Sequence, residues 1–436
     1  MASIRKKKRA LKNNAEAGDL EPKSIRIRMY RVGFGDCFLL SIPTSKGQSA
    51  DKQQHILIDC GVHSSGDIGT IEKVVKNISE VTNKKLAVII ATHAHQDHIS
   101  GFNKFKDLFS KFKIREVWLP WTWDENNEKA VKIQRIQAAL TTQLSQHFEA
   151  LGMNANKRIL HAVENLNLSR NKHAIELLRS GFGNDEAKVY YLKAGDTLNP
   201  EDTCIPGLLV RVLGPPESEE FLAKMHPPSS QRYLHMVEGK AETANVILPF
   251  EQRWRVDGKK IKMPLEKNEE EQLQDHAKLS LDDLAFSLDH ARNNESLVTL
   301  FIFRNQHLLF AGDAQYGNWK SWLENEQSHD ILSKINFFKV AHHGSHNATP
   351  KTVLEGMSDG EFAAMVSTQS KPWDVIPRDP LMDRLDEKTN KKIVRSDWLP
   401  IDGAPKPIRH SKPPSPTTMP KGFRKGDLWF DYTIKL

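Results

Sequence analysis

Short segments of alternating or continuous apolar residues predict that this chain folds as a layered α/β domain. In "SIRIRMYRV", Ile25, Ile27 and Met29 fall on one face, which is typical of a half-buried strand. "CFLLSI" and "HILIDCG" predict two further strands, and the unbroken apolar run "LAVIIA" predicts a strand buried on both faces. A helix is expected to begin near Asp97 and to continue through "GFNKFKDLFSKF", before the strand "REVWLP". Strands that alternate with helices indicate an α/β layered architecture.

Two segments interrupt this pattern, and we interpret both as insertions into one domain that spans residues 24–436. In the first, at about 124–186, Ile133, Ile136, Leu140 and Leu144 recur at spacings of three and four, as on an amphipathic helix. The second, at about 217–290, is polar and charged, and is expected to be part helix and part loop. Strands resume at "SLVTLFIF", "HLLFAGD" and "INFFKVAHHGS".

The net charge of +7 favours acidic partners such as nucleic acid, although only weakly. Much of the excess lies in "RKKKRALKNN", within a stretch of residues 1–23 that we predict to be a basic disordered tail. A nucleic-acid-binding or targeting role is the alternative for this tail. The three cysteines show no CxxC spacing, which predicts a reducing, cytoplasmic setting. The chain has no apolar run of about 18–20 residues and no apolar segment behind its basic start, so we expect neither a membrane span nor a secretory signal.

The stretch "ATHAHQDHISG" at residues 91–101 places four potential metal ligands within six positions: His93, His95, Asp97 and His98. The first two histidines lie two residues apart, so on an extended segment their side chains share one face. The carboxylate and the third histidine follow where the chain is expected to turn into a helix. Imidazole and carboxylate together suit zinc, manganese or iron better than calcium.

Two later strands end on matching residues. "LLFAGDAQ" ends an apolar strand at Asp313, and "FFKVAHHGSHN" ends another at His342 and His343. Because strand ends gather at one edge of a layered sheet, we expect these side chains to meet the first cluster. His342, which we expect to end the strand, is preferred as the ligand, and His343 is the alternative.

In these segments the chain resembles the metallo-β-lactamase fold superfamily. More narrowly, it resembles the soluble metallohydrolase domain of bacterial DNA-uptake (competence) channel proteins and their stand-alone relatives. The resemblance is carried by "VGFGDCFLL", "HILIDCG", "THAHQDHISG", "LKAGDTL", "VRVLGPP", "NNESLVTL", "LLFAGDA" and "KVAHHGS". It covers most of residues 24–120, 187–216 and 294–397, so both insertions fall outside it. It implies a four-layer αβ/βα sandwich with helical insertions.

The resemblance also implies two divalent metal ions, zinc or manganese, held by the motif residues: His93 and His95 for the first, Asp97, His98 and His342 for the second, and Asp313 between them. Asp97 and Asp313 are therefore the candidate catalytic residues. Water held between the two metals would be the nucleophile. Asp59 would lie behind the ligands and orient one of the histidines.

The chain departs from the superfamily pattern at one position. Many members carry a third histidine for the first metal before the strand that leads to the bridging aspartate. Here that region is "DHARNNESLV", in which His290 comes early and Asn294 lies closer to the expected place. The first metal is thus left with an open position, and full occupancy by two metals is an open question.

Three functions are compatible with these patterns. The preferred one is a metal-dependent hydrolase of the phosphodiesterase or nuclease class, with nucleic acid as partner. The second is a small-molecule ester or lactone hydrolase whose insertions form a lid. The third is a non-catalytic scaffold or sensor subunit with a protein partner in a bacterial multi-protein system. Salt-dependent DNA affinity would separate the first from the others.

Overall fold

The computed structural model describes residues 23–43, 53–64, 70–151, 168–184, 186–224, 226–233, 281–369, 373, 376–398 and 419–436. Nearly all of the predicted basic tail and the middle parts of both predicted insertions lie outside the described residues. The division into one domain with two insertions stays a prediction. Within the described part of the chain, no helix combines the length and the apolar character that crossing a membrane requires.

Fifteen strands are found among the described residues: β1 (Ser24–Tyr30), β2 (Cys37–Pro43), β3 (Gln53–Cys60), β4 (Lys85–Ile90), β5 (Lys113–Pro120), β6 (Lys188–Leu192), β7 (Thr197–Leu198), β8 (Leu209–Gly214), β9 (Val298–Phe303), β10 (Gln306–Phe310), β11 (Ile335–Lys339), β12 (Ala363–Val366), β13 (Ile393–Arg395), β14 (Phe423–Lys425) and β15 (Trp429–Lys435). The first sheet has eight strands in the order β14-β15-β1-β2-β3-β4-β5-β6. The second has seven, in the order β13-β12-β11-β10-β9-β8-β7.

The α-helices of the same ranges are α1 (Ile71–Val81), α2 (Gln96–Lys104), α3 (Lys106–Phe109), α4 (Glu128–Leu151), α5 (Leu168–Arg179), α6 (Glu219–Ala223), α7 (Leu281–Asn294), α8 (Tyr316–Leu323), α9 (Ser328–Ser333), α10 (Lys351–Gly356) and α11 (Asp379–Lys388). The amphipathic helix predicted for the first insertion is confirmed as α4. The single helix expected from Asp97 onward is instead the pair α2 and α3, because the backbone of Phe105 leaves helical values between them.

Alternation along the strands sorts apolar side chains into two layers of core. Ile56 and Ile58 of β3 pack in the cluster that joins the two sheets, whereas Leu57 faces the other way. There it packs with Val74 and Ile78 of α1. The strand predicted from "LAVIIA" is confirmed as β4, and its apolar side chains are buried on both faces.

Helices also cover the second sheet. Trp319 of α8, Val353 of α10 and Met382 of α11 are buried in the same cluster as the strands β9 to β12. The order is therefore helices, sheet, sheet, helices, and the predicted α/β sandwich is confirmed. Within it β3, β4 and β5 run parallel, as do β10, β11 and β12, so their carboxyl ends bring the predicted donors to one edge.

Candidate metal centre

The loop after β4 is fixed by the carboxylate that ends β3. The backbone N–H and the hydroxyl of Thr92 donate hydrogen bonds of 2.8 and 2.7 Å to the two oxygens of Asp59. His95 then occupies the N-terminal cap of α2 with an extended backbone, so the chain turns into the helix directly after the "HAH" segment. The loop that carries the candidate ligands is thus anchored to the neighbouring strand.

Asp59 also sets the orientation of His98. The Nδ1 atom of this histidine lies 2.8 Å from Asp59 Oδ2 and donates to it, because a carboxylate can only accept. Its Nε2 atom therefore faces inward, 3.1 Å from Asp313 Oδ2, and is buried without a hydrogen-bond partner. A carboxylate behind an imidazole is the usual support of a metal-binding histidine. The role that the resemblance implies for Asp59 fits this geometry.

Four buried side chains form one compact donor group, which we call the complete donor group: Asp97, His98, Asp313 and His343. One ligand atom from each lies within 4.8 Å of all the others. The Nε2 atom of His343 is 3.1 Å from Asp97 Oδ2 and 3.2 Å from Asp313 Oδ2. Its Nδ1 atom donates to the carbonyl of Ser367 at 2.8 Å, which fixes the ring with Nε2 toward the carboxylates.

The structure places His343, the alternative drawn from the sequence, in this group and leaves His342, the preferred ligand, outside it. The strand β11 ends at Lys339, three residues earlier than that preference assumed. The chain then makes a tight turn in which both histidines have positive φ, 44° and 53°. As a result His342 points to Ser345 Oγ, 2.9 Å from its Nδ1, and to the amide of Gln315 at 3.3 Å.

The two remaining motif histidines form a second, smaller donor set beside the first. His93 Nε2 and His95 Nδ1 face each other at 3.0 Å, and the rings of His93 and His98 have centroids 4.2 Å apart. The Nε2 atom of His95 is 3.5 Å from Asp289 Oδ1 on α7. In the described ranges no third imidazole or carboxylate joins this pair in a compact group.

Neither of the two residues considered for the open position is placed as a ligand. The Asn294 amide donates to the carbonyls of Leu222 and Lys224, and its oxygen accepts from the backbone N–H groups of Gln315 and Asn318. Its hydrogen-bonding capacity is therefore used to tie α7 to its neighbours. His290 lies with its Nδ1 2.7 Å from the Gln315 amide.

Three polar residues that were not selected from the sequence also belong to the site: Ser296, Lys339 and Asp36. Ser296 Oγ lies 3.3 Å from His93 Nδ1 and accepts a 3.0 Å bond from the N–H of Asp313. The side chain of Lys339 is buried, with 2% of the residue exposed. Its ammonium group donates a 2.7 Å hydrogen bond to the Gly312 carbonyl. It also contacts the carboxylate of Asp36 and lies 3.4 Å from Asp313 Oδ1. A lysine within an apolar buried strand was the available signal for Lys339.

The electrostatics of the complete donor group favour a bound cation. Burial acts to lower the pKa of His343, but Asp313 and Asp97 outweigh it and raise that pKa to about 10. Burial acts to raise the pKa of Asp313, yet His98, His343 and Lys339 hold it well below the usual range. Carboxylates that hold buried imidazoles protonated mark a place where positive charge is stabilised. Two oxygens and two nitrogens are also a donor set suited to zinc or manganese, so these residues fit a divalent ion.

Residues 32–164 match the family model for the metallo-beta-lactamase superfamily, and this segment contains the loop from His93 to His98. In this segment the chain is similar to the metallo-β-lactamase superfamily. Among solved structures it is similar to the metallo-beta-lactamase fold protein YhfI from Bacillus subtilis, with 9% identity over 86% of this chain and 96% of that chain, and a TM-score of 0.34. No curated protein matches the chain. The narrower resemblance to DNA-uptake metallohydrolases stays a prediction.

The family match over residues 32–164 and the buried Asp/His group together support a metal-dependent hydrolase. We expect protein purified without chelator, or reconstituted afterwards, to carry at least one equivalent of a transition metal. The reason is that the four side chains of the complete donor group already lie close together in the folded chain. Elemental analysis by mass spectrometry measures this content. Less than about a tenth of an equivalent of zinc, manganese, iron, cobalt and nickel combined, even after reconstitution, would contradict the site.

Proposed function

We propose that the protein is a metal-dependent phosphodiesterase or nuclease. The observation that carries the proposal is the row of two adjacent buried donor sets, the pair His93 and His95 beside the complete donor group. His98 and Asp313 lie where the two sets meet, since His98 is in ring contact with His93 and 3.1 Å from the carboxylate of Asp313. Sites that can hold two close cations suit phosphoryl chemistry.

Bound divalent cations would lower the pKa of water and stabilise the negative charge that develops on a phosphodiester during hydrolysis. The residues of the chain position the ligands for this. Asp59 holds His98 from behind, and Ser367 does the same for His343 through its carbonyl. The positive charge of Lys339 neutralises part of the negative charge of Asp36 and Asp313, and a bound cation would balance the rest.

The charge of the whole chain supports an anionic substrate. The sequence carries 62 lysine and arginine residues against 55 aspartate and glutamate residues. An excess of this sign raises the local concentration of polyanions and accelerates their encounter. A neutral ester or lactone would gain nothing from it, so the charge favours phosphodiesters over the small-molecule alternative.

A substrate panel tests the proposal. The protein, supplied in turn with manganese and zinc, is incubated with a chromogenic phosphodiester, single-stranded DNA, RNA, a carboxylic ester and a lactone. We expect phosphodiester cleavage, and we expect a chelator to stop it. Adding the metal back should restore cleavage, because the chelator removes the metal and leaves the protein side chains that bind it in place. Hydrolysis of the ester or lactone alone would replace the proposal by the small-molecule one. Inactivity on every substrate would favour the scaffold hypothesis.

A further inference from the structure

A cavity of about 340 Å³ lies beside the candidate metal centre, between the helices α4, α5 and α7. Ala94, which separates His93 from His95 in the chain, forms part of its wall. The carbonyl of Ala94 accepts a 2.8 Å hydrogen bond from Asn171 of α5. The cavity therefore shares a wall with the loop that carries the ligands.

Arg292 of α7 lines this cavity and is only 6% exposed. Its Nε atom is buried without a hydrogen-bond partner, and among the described residues its guanidinium makes no hydrogen bond or close ion pair. Burial lowers the pKa of Arg292, so the fold pays a penalty for holding this charge. A buried arginine in this state is unusual, because buried charges are normally paired or hydrogen-bonded.

The other arginine of the wall already has partners. Arg179 donates to Glu125 Oε1 at 2.6 Å and also to the carbonyl of Trp123. The buried acid next to Arg292 is occupied as well, since Glu295 accepts hydrogen bonds from Thr122 Oγ1, at 3.0 Å, and from the amide of Gln137. The donors of Arg292 thus remain available to a ligand in the cavity.

We propose that the cavity is an anion subsite in which Arg292 binds a phosphate monoester of the substrate, next to the bond that is cleaved. The planar guanidinium fork matches phosphate oxygens with paired hydrogen bonds. A volume of about 340 Å³ is in the range of small-ligand pockets and suits one nucleotide-sized group, not a duplex. The choice of phosphate as the anion rests on the proposed function. The substrates then preferred are short or single-stranded phosphodiesters with a terminal phosphate.

Glu295, which lies next to Arg292, gives a second and independent test of the anion subsite. It acts on Arg292 through its charge without forming a close ion pair, so it competes with an incoming anion for the same guanidinium. Replacing Glu295 by glutamine keeps an amide oxygen to accept from Thr122 and removes the competing charge. We expect the Glu295→Gln variant to bind the phosphate ligand several-fold more tightly than the wild type. A merely structural Arg292 would give no such gain.

The test measures calorimetric binding of a nucleoside 5′-monophosphate and of the parent nucleoside to the metal-free full-length protein. We expect the wild type to bind the monophosphate, and Arg292→Gln to weaken this binding by about tenfold or more. The matched control Lys172→Gln removes one positive charge from the rim of the same cavity. Its side chain is 75% exposed, so the change stays within about twofold. Thermal unfolding confirms that each variant is folded.

A second variant keeps the guanidinium and blocks the space. Ala138 of α4 lines the cavity and is half-buried. The Ala138→Trp variant places an indole ring in the cavity without removing a core side chain, and it should abolish binding of the monophosphate. A wild type that binds the monophosphate no better than the nucleoside would overturn the subsite. So would an Ala138→Trp protein that binds like the wild type.

Activity separates this inference from the proposed function. If the subsite exists, a dinucleotide with a 5′-phosphate is cleaved with a kcat/KM about tenfold higher than the same dinucleotide without it, and Arg292→Gln removes the difference. Binding without cleavage of any phosphodiester would reject the proposed function and keep the anion site. Cleavage that ignores the terminal phosphate would reject the anion site and keep the proposed function.

Discussion

The Asp313→Ala variant is expected to lose phosphodiester cleavage by about a thousandfold or more while it keeps its fold. The carboxylate of Asp313 lies 3.1 Å from His98 Nε2 and 3.2 Å from His343 Nε2, so its removal takes away a negative charge that lies close to both imidazoles. A cation bound by the complete donor group would lose one of the four residues that would hold it. Rate measurements at saturating metal detect the loss.

The fold should survive because the change removes no apolar contact. The backbone N–H of Asp313 keeps its bond to Ser296 Oγ, and Lys339 keeps Asp36 and the carbonyl of Gly312 as partners. The matched control is Asp330→Ala, which removes a carboxylate whose side chain is 65% exposed and which pairs with Lys334 at the surface. Its activity should equal that of the wild type, since exposed ion pairs contribute little.

The same pair of proteins tests how nucleic acid is bound. DNA affinity should be equal in the wild type and in Asp313→Ala, because lysines and arginines away from the centre would supply it, and it should fall steeply as salt rises. An Asp313→Ala protein that cleaves phosphodiesters at the wild-type rate would refute the role given to this carboxylate. A variant that differs only in assembly with a protein partner would support the scaffold hypothesis.

The sequence predicts the strands well because their pattern has a single physical origin. Ile25, Ile27 and Met29 can be buried together only on one face of an extended chain, and the run 86–91 is too apolar to have a solvent-facing side. The convergence of Asp59, Asp97 and Asp313 follows for a related reason. Asp59 lies at the end of β3, Asp313 follows the end of β10, and Asp97 lies in the first turn of the helix that follows β4; parallel strands end at one edge of the sheet.

The parts that the sequence did not yield depend on local turns and on contacts between distant segments. Ser296 enters the site only because β9 begins beside the Thr92 loop, where the N–H of Leu297 donates to the Thr92 carbonyl at 2.9 Å. Arg292 becomes noteworthy only when its lack of partners beside a cavity is known. No periodicity or spacing in "DHARNNESLV" carries that information, since a single arginine at a helix end is ordinary.

The choice between two adjacent histidines shows this limit most directly. Which one faces a metal is decided by the dihedral angles of the turn after β11, where Val340 and Ala341 separate both from the strand. A strand that continued to His342 was expected to turn His343 outward, but the strand ends at Lys339 and the turn with positive φ values brings His343 to the carboxylates. Phe34 packs on the His343 ring with centroids 4.1 Å apart, which further holds the ring inside.

The His343→Ala variant is accordingly expected to bind its metal about a hundredfold more weakly than the wild type, because it removes one of four ligand atoms. The His342→Ala variant is the matched control, since it changes the same residue type in the same turn. It should stay within about twofold, because His342 lies against Ser345 and Gln315. Competition with a chromogenic chelator measures both affinities, and circular dichroism confirms that both proteins fold. Metal loss in His342→Ala with retention in His343→Ala would restore the assignment that the sequence favoured, and would mean that the turn inverts when metal binds.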